Sequence, residues 1–246
     1  HDLDVLLIDL AGTQNDLATQ FGLGDEIEDP DAPISAVFGE NWEFIRENIP
    51  NVVDRMVFET DEGPDLIPSD PGLGGADNNL ANVPKEERYG KLEAFISEEI
   101  ASRYDLVIMD LPGKEDNIAL NGLFAAENTV APLKPGEFER RQLRALDEDL
   151  REIQEAHDVE PQLTLVFATM VDRRTNLAEG FVDDLHEAYP DAAGEPVPST
   201  QNIGNEQAAG RTLFALDEDE LYATGREALE AYRANTDLLL DHIEDR

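Results

Sequence analysis

The sequence contains no cysteine, very few lysines and no long hydrophobic run. Without cysteine the protein forms neither a disulfide nor a thiolate zinc site, and it has no cysteine nucleophile. No run of about 18 apolar residues is present, so the sequence predicts no transmembrane helix. No secretory signal and no glycine-rich GxxxxGK[ST] phosphate loop are visible, and the predicted compartment is the cytoplasm. Four scattered histidines show no metal-ligand spacing: His1, His157, His186 and His242.

Positive charge is also scarce. Lysine and arginine together number 18 against 56 aspartates and glutamates, which gives a formal net charge of −38. Hydrophobic residues still make up 41% of the chain, so this is not the composition of a disordered acidic polymer. At about 1 M salt the Debye length is about 3 Å, and the repulsion within such a coat is largely screened. The composition therefore predicts a halophilic protein, with an acidic mesophilic protein as the alternative.

Apolar runs alternate with amphipathic segments along the whole chain of 246 residues. The three strongest runs, LDVLLID, DLVIMD and LTLVFA, are continuous, as is typical of parallel strands buried on both faces. Shorter predicted strands are DRMVFET, PDLIPS, TVAPLKP and EPVPST. The predicted helices include NDLATQFGL, KEERYGKLEAFISEEIASR and RRQLRALDEDLREIQEA. The pattern predicts an α/β fold with a doubly wound, mostly parallel sheet flanked by helices, in a single domain over residues 1–246.

Two of the strong strands end in an aspartate, Asp9 and Asp110, and a Pro-Gly turn follows the second. In open parallel sheets, ligands bind outside the carboxyl ends of the strands. A carboxylate there, of the Walker B kind, holds Mg²⁺ for phosphate chemistry, usually through water. Either aspartate alone could instead be a helix cap or a turn residue. On chemistry alone, the pair indicates a magnesium or phosphate site.

Five collinear segments resemble the ParA/MinD family of deviant Walker A ATPases, and the Soj-like partition proteins in particular. DVLLIDLAGTQNDLATQFGL resembles VLLIDLDPQGNLTxxLG, the strand and switch I of that family. DLIPSDPGLGGADNNLA resembles IPSxxxLxxxExxL, and YDLVIMDLPGKEDNIALNGLFAAEN resembles the family's switch II strand and helix. TLVFATMVDRRTNLAEGFVDDL resembles LTMxDxRTxLxxxVxxxL, and PVPSTQNIGNEQAAGRTLFALD resembles IPRNVxLxEAxxxGxPIFxYD. Together the segments span almost all of the chain.

The resemblance implies a P-loop NTPase-like fold, with a strand, a phosphate loop and a helix preceding the first strand seen here. It implies ATP and Mg²⁺ as cofactors and a switch function in DNA partition, in chromosome or plasmid segregation, or in cargo positioning. By resemblance, Asp9 and Asp110 lie near the metal, and Gly12 and Pro112 lie beside the nucleotide. Thr169, Met170 and Pro198 lie at its adenine end.

This sequence departs from the family pattern at three places. The second aspartate of switch I aligns with Ala11, which has no carboxylate to contact the attacking water. The second proline of switch II becomes Gly113, and the arginine of IPRN becomes Ser199. ATP hydrolysis is therefore uncertain, unless a polar group at Thr13, Gln14 or Asn15 takes over. The alternative is a non-hydrolysing ATP-binding scaffold or regulator of the same fold. A biosynthetic or metal-cluster relative is a third hypothesis, although the lack of cysteine argues against iron–sulfur chemistry.

Basic residues gather in two places in this acidic chain. One group surrounds a predicted strand and helix, namely Lys134, Arg140, Arg141, Arg144 and Arg151, and the other is Arg173 with Arg174. Either could contact DNA phosphates, and Arg140, Arg141, Arg173 and Arg174 are the candidates. Helical ion pairs with nearby glutamates and aspartates are the alternative. The resemblance implies an ATP-dependent homodimer, nonspecific DNA and a ParB-like or other activating partner. The acidic C-terminal helix disfavours membrane targeting.

Overall fold

The computed structural model describes residues 2–12, 16–24, 27, 30–113, 116–136, 148, 150–155 and 161–244. The chain forms two compact units. The first comprises His1–Ala126 together with Gln207–Thr212, and the second comprises Glu127–Glu206 together with Leu213–Arg246. The prediction that residues 1–246 form a single domain stays a prediction. Among the residues described, no helix combines the length and apolar character needed to cross a membrane.

The first unit is a three-stranded parallel sheet in the order β2-β1-β3 with helices around it. In chain order its elements are β1 (Val5–Asp9), α1 (Asp16–Gln20), a 3₁₀ turn (Ile34–Phe38), α2 (Trp42–Asn48), β2 (Asp65–Ile67), α3 (Leu73–Leu80), α4 (Lys85–Arg88), α5 (Lys91–Phe95), a π-helical turn (Ile96–Ile100), β3 (Leu106–Asp110) and α6 (Asn117–Ala125).

Both faces of β1 are covered by other elements, one of them completely. Leu6 and Ile8 are fully buried in the main core, which also contains Phe95 of α5. Leu7 points to the opposite face and packs on a smaller cluster that includes Ala18 of α1. Successive side chains of a strand point to opposite faces, so a continuous apolar run requires cover on both sides. This arrangement confirms the predicted α/β fold with a parallel sheet between helices.

The second unit has the same construction with two parallel strands. Its elements are β4 (Asn128–Leu133), α7 (150–155), β5 (Gln162–Ala168), α8 (Asn176–Ala188), α9 (Gln201–Ala208), a 3₁₀ turn (Leu213–Ala215) and α10 (Ala223–Glu244). On one face of β5, Val166 packs against Phe181 of α8. On the other face, Phe167 packs in a cluster with Leu229 of α10.

The outer edge of β3 is not paired with any strand in the described part of the chain. Its register partners all lie in β1, from Val5↔Leu106 to Asp9↔Asp110. Ile108, in the middle of β3, is 45% exposed although it belongs to one of the most apolar runs in the sequence. A strand edge of this kind is a place where another strand can pair.

Three predicted elements differ from the structure. The helix predicted over residues 85–103 breaks at Tyr89 and Gly90, because Gly90 adopts a non-helical conformation and begins α5. DRMVFET forms no regular strand, because residues 54–56 are turn and only Phe58 makes an isolated antiparallel bridge, to Leu66. EPVPST contributes a single parallel bridge, Val171↔Pro198, and no regular strand. Most of the predicted helix RRQLRALDEDLREIQEA lies outside the described residues.

Candidate functional site

Two carboxylates lie side by side at the carboxyl edge of the first sheet. Asp9 and Asp110 are register partners at the ends of the parallel strands β1 and β3. The amide of Leu10 donates to the carbonyl oxygen of Asp110 at 2.9 Å, so the two chains remain together beyond the strands. The prediction that these aspartates end adjacent core strands is confirmed. Their roles in binding metal or nucleotide remain predictions.

The two aspartates have different surroundings. Asp9 is only 2% exposed, and its Oδ1 accepts the amide of Ala11 at 3.1 Å. This local bond shapes the turn that leads to Gly12, while the Ala11 side chain is exposed and supplies no polar group. Asp110 is exposed at the end of β3. The buried carboxylate therefore organises the turn, and the exposed one faces solvent, where a ligand can reach it.

This pair is not a complete metal site by itself. The described residues contain no group of three or more histidine or acidic side chains that could hold a metal ion. Mg²⁺ in nucleotide sites commonly uses one or two carboxylates, with water and phosphate oxygens as the remaining ligands. The chemistry of Asp9 and Asp110 fits that mode, in which a nucleotide supplies part of the coordination shell.

The segment after Asp110 is anchored at its far end. Asp116 caps α6, because its carboxylate accepts the amides of Ile118 at 3.1 Å and Ala119 at 2.9 Å. The next residue, Asn117, donates through its backbone and its side-chain amide to Oδ1 of Asp77 in α3, both at 2.9 Å. Pro112 is half-buried and lies between these fixed ends. The candidate switch II segment therefore begins at a sheet edge and ends in a hydrogen-bonded clamp.

A third carboxylate, Asp70, follows β2 and was not singled out from the sequence. It is 3% exposed and accepts three hydrogen bonds, from the Ser35 amide at 2.9 Å, the Ser35 hydroxyl at 2.7 Å and the Gly72 amide at 2.7 Å. A Cβ at Gly72 would lie 2.3 Å from the Ser35 hydroxyl oxygen, so glycine is required for this close packing. Asp70 braces the loop that leaves β2. The Asp-Pro-Gly sequence after an apolar run is the signal that could have indicated it.

In the second unit, a pocket of about 610 Å³ opens after the carboxyl end of β5. The amide of Val171 donates to the carbonyl oxygen of Val197, and the amide of Ser199 donates to that of Val171, both at 3.0 Å. Met170 precedes this bridge with a positive φ of 54° and is 57% exposed. The lining residues are Val171, Asp172, Arg173, Arg174, Pro198, Ser199, Thr200, Gln201, Tyr222, Thr224 and Glu227.

The pocket brings together residues that the sequence assigned to two different ligands. Pro198, predicted at the adenine end of a nucleotide, lines it together with Arg173 and Arg174, the DNA candidates. Thr169 and Met170 directly precede it in the chain, and the Thr169 amide donates to the carbonyl oxygen of Leu133 at 2.7 Å. The other DNA candidates, Arg140 and Arg141, lie outside the described residues.

Both pocket arginines are paired with acidic side chains. Arg173 contacts Glu227 of α10 at 3.0 Å, and Arg174 contacts the two carboxylate oxygens of Asp172 at 2.8 and 2.9 Å. The Arg174 side chain and its amide, as donors, lower the pKa of Asp172 to about 2. Thr175 caps α8 by accepting the Ala178 amide, so the DRRT segment combines a helix start with a local ion pair. An incoming phosphate must therefore compete with these carboxylates for the arginines.

Comparison with known proteins places this architecture in a family. Residues 1–165 match the sequence model of a family described as "AAA domain" (AAA_31). Over 214 residues the chain is 26% identical to the sporulation initiation inhibitor protein Soj of Bacillus subtilis. The aligned region makes up 87% of this chain and 79% of that protein. Over 153 residues it is 33% identical to the chromosome-partitioning ATPase Soj of Thermus thermophilus. That aligned region makes up 62% of this chain and 58% of the relative.

The fold matches a solved structure as well. A plasmid partition protein from Borrelia burgdorferi B31, bound to AMPPNP, superimposes with a TM-score of 0.69 over 99% of this chain and 87% of its own, at 17% identity. At that identity the likeness concerns the fold. Together with the family model over two thirds of the sequence, it confirms the family predicted from the motifs. The chain belongs to this AAA domain family and is a member of the ParA/MinD group of proteins.

Proposed function

We propose that the protein is a ParA-like nucleotide-dependent switch that acts in DNA partition or in positioning another intracellular cargo, in the cytoplasm. The observation that carries the proposal is the register pair Asp9↔Asp110 at the carboxyl edge of a parallel sheet. The names of its relatives, which include a chromosome-partitioning ATPase, support the same class of function. ATP with Mg²⁺ is the proposed ligand, and a nucleotide-dependent homodimer with a ParB-like activator is the proposed working form.

In this proposal each part of the site has one task. Asp110 and Asp9 would hold Mg²⁺, largely through water, and the bound ion would supply positive charge beside the phosphates of ATP. Gly12 and Pro112 flank the phosphates, and Thr169, Met170 and Pro198 contact the base. The clamp between Asn117 and Asp77 fixes the start of α6, at the far end of the loop after Asp110.

In this proposal the backbone amides and the lysine of the phosphate loop that the resemblance implies would supply the main contacts to the phosphates.

The test is Mg²⁺-dependent ATP hydrolysis by the full-length protein. We expect Asp110→Asn to lower the rate by about 10- to 100-fold, because a carboxylate that organises the metal is lost. Nucleotide binding measured without Mg²⁺ should stay unchanged. Glu187→Gln, which removes one exposed charge from α8, is the matched control. A normal rate in Asp110→Asn would contradict the proposed metal role.

The scaffold hypothesis is favoured by Ala11, whose side chain is exposed and carries no polar group. Measuring ATP hydrolysis by the Ala11→Asp variant in the same assay distinguishes it from the ATPase hypothesis. If the natural protein binds ATP with negligible turnover and Ala11→Asp raises turnover, the protein works as a non-hydrolysing switch. Efficient hydrolysis by the natural protein would contradict the scaffold hypothesis.

DNA binding by the second-unit pocket has its own test. We expect Glu227→Gln to raise the affinity of the full-length, ATP-bound protein for duplex DNA by about two- to fivefold, because an exposed ion pair that occupies Arg173 is worth about 0.2–1 kcal/mol. Arg173→Ala with Arg174→Ala should lower it. Glu230→Gln removes the same charge from an exposed position of α10 and controls for net charge. Equal affinities in all of these variants would exclude the pocket arginines from the DNA site.

A further inference from the structure

Asn121 of α6 is a fully buried polar side chain to which the proposed function gives no task. Its side-chain amide donates to the carbonyl oxygens of Arg88 at 3.1 Å and Asn117 at 2.8 Å. Its side-chain oxygen accepts the amide of Leu92 at 3.4 Å. A buried amide is tolerated only when it is paired in this way, and the three bonds give it a single orientation. They fix α6 against the end of α4 and the start of α5.

Arg88 extends this arrangement to the end of α3. Its guanidinium group donates to the carbonyl oxygens of Ala81 at 2.9 Å and Val83 at 2.8 Å, directly after the last turn of α3. It also reaches Oδ1 of Asn117 at 3.4 Å, and Asn117 in turn donates to Asp77 of α3. The helices α3, α4, α5 and α6 therefore meet in one polar network. Within that network α6 has little freedom to rotate about its own axis.

The residue that follows Asn121, Gly122, faces the chain directly after Asp110. A Cβ on Gly122 would lie 2.3 Å from Cδ2 of Leu111 and 3.1 Å from its Cδ1, so the Leu111 side chain packs directly on the backbone of α6. Leu111 also packs against the main core, and one peptide bond joins it to Asp110. The rotation of α6 therefore determines where Leu111 lies, and Leu111 in turn holds the end of β3.

Stability alone does not account for this pair of residues. Gly122 lies within α6, where glycine is less favourable than alanine because it loses more backbone freedom on folding. An alanine with a shorter side chain at position 111 would fill the same space at a lower cost in helix propensity. What the glycine provides is the close approach of the segment after Asp110 to α6.

We propose that Asn121, Gly122 and Leu111 are positioning residues for Asp110. The bonds of Asn121 fix the rotation of α6, and the packing of Leu111 on Gly122 transmits this rotation to the end of β3. The Asp110 carboxylate is thereby held at the place where the phosphates and Mg²⁺ of the proposed ligand would meet it. All of these residues lie in the first unit. The inference rests on the proposed function for the identity of the ligand, whereas the packing contact is a property of the chain without nucleotide.

Hydrogen–deuterium exchange of the full-length Gly122→Ala variant without nucleotide tests the contact. The added Cβ displaces the Leu111 side chain, while α6 keeps its backbone hydrogen bonds and gains helix propensity. We expect the Leu10 amide, which donates to the carbonyl oxygen of Asp110, to exchange about two- to tenfold faster. Amides in the middle of β1 should keep their rates. Gly75→Ala in α3, where a Cβ would meet nothing within 4 Å, is the matched control and should change none of these rates.

The second measurement is the affinity of the same variants for ATP with and without Mg²⁺. In Gly122→Ala we expect the half-saturating Mg²⁺ concentration to rise about tenfold, the lower end of the usual cost of disturbing a group that orients a metal ligand. The affinity for ATP without Mg²⁺ should stay unchanged. Leu111→Val removes both Cδ atoms that the new Cβ would meet, so Gly122→Ala combined with Leu111→Val should restore the natural Mg²⁺ requirement. A general loss of stability would not be rescued by this second substitution.

Asn121→Ser completes the test, because its shorter side chain gives up the bonds to Arg88 and Leu92. It should speed exchange at the Leu10 amide as Gly122→Ala does. Unchanged exchange at Leu10 in both variants would overturn the proposal. Faster exchange with an unchanged Mg²⁺ requirement would overturn the positioning role and leave a purely structural contact. A natural protein that binds no ATP would instead contradict the proposed function, and the exchange rates alone would then decide whether α6 holds the end of β3.

Discussion

The protein should lose much of its folding stability when KCl is lowered from about 1 M to about 0.1 M, as the Debye length grows from about 3 to about 10 Å. The cause is the net charge of −38, carried by 56 acidic residues against 18 basic ones. Two like charges about 10 Å apart in water repel by about 0.4 kcal/mol without salt, and screening lowers this to about 0.15 kcal/mol at 0.1 M and about 0.01 kcal/mol at 1 M. Tens of such pairs give a change on the order of several kcal/mol.

Chemical denaturation by urea, which adds no ions, measures this dependence at a series of KCl concentrations. A matched variant replaces four exposed acids by lysine, at Glu47, Glu87, Glu187 and Asp191, and raises the net charge by eight. We expect the variant to be more stable than the natural sequence at low salt and to depend less on KCl. A free energy of unfolding that does not change with KCl would exclude charge repulsion as a determinant and would contradict the halophilic prediction.

Phe95→Ala should destabilise the first unit by about 3–5 kcal/mol, the usual cost of deleting a fully buried phenylalanine ring. Phe95 is 1% exposed and meets Trp42 edge to face, with ring centroids 5.6 Å apart. It is also the last residue of α5, directly before the π-helical turn. Because the core around it is closely packed, neighbouring side chains have little freedom to fill the cavity that the substitution leaves. The fluorescence of Trp42, the only tryptophan in the chain, follows the unfolding of this unit.

Phe44→Ala is the control for this deletion. It removes the same ring from α2 in the same unit, but Phe44 is 68% exposed. Its effect should stay within about 0.5 kcal/mol, as is usual for surface positions. Equal losses of unfolding free energy in the two variants would show that burial of Phe95 in the core does not determine its contribution to stability.

The strand ends could be predicted because their signal is local. The apolar runs before Asp9 and Asp110 indicate two parallel strands, and parallel strands bring their carboxyl ends to one edge of a sheet, so the sequence predicts that the two aspartates lie at the same edge. The predicted burial holds for β1 but not for β3, where Ile108 is 45% exposed. The prediction of one helix over residues 85–103 was wrong because the helical spacing of apolar residues continues through Gly90, whereas the backbone at Gly90 is not helical. Periodicity describes side chains, and a glycine can end a helix without disturbing that pattern.

Partners that are distant in the sequence could not be predicted. Arg173 pairs with Glu227, and Thr212 pairs with Glu62, across 54 and 150 positions respectively. No local pattern specifies such contacts, because they depend on how loops from separate elements meet. Asp70 is an intermediate case, since its Asp-Pro-Gly turn is visible in the sequence but its bonds to Ser35 are not.

The open edge of β3 has a consequence for handling the protein in solution. In the part of the chain that the structure describes, no strand covers the outer edge of β3, and together with the 45% exposed Ile108 this edge is a template on which copies of the chain can stack into aggregates. Long-range repulsion between equally charged molecules opposes that encounter when ionic strength is low, and it fades as salt rises. The conditions that relieve repulsion within one molecule therefore also let molecules approach one another. Storage life should pass through an optimum at intermediate salt, with self-association on one side and unfolding on the other.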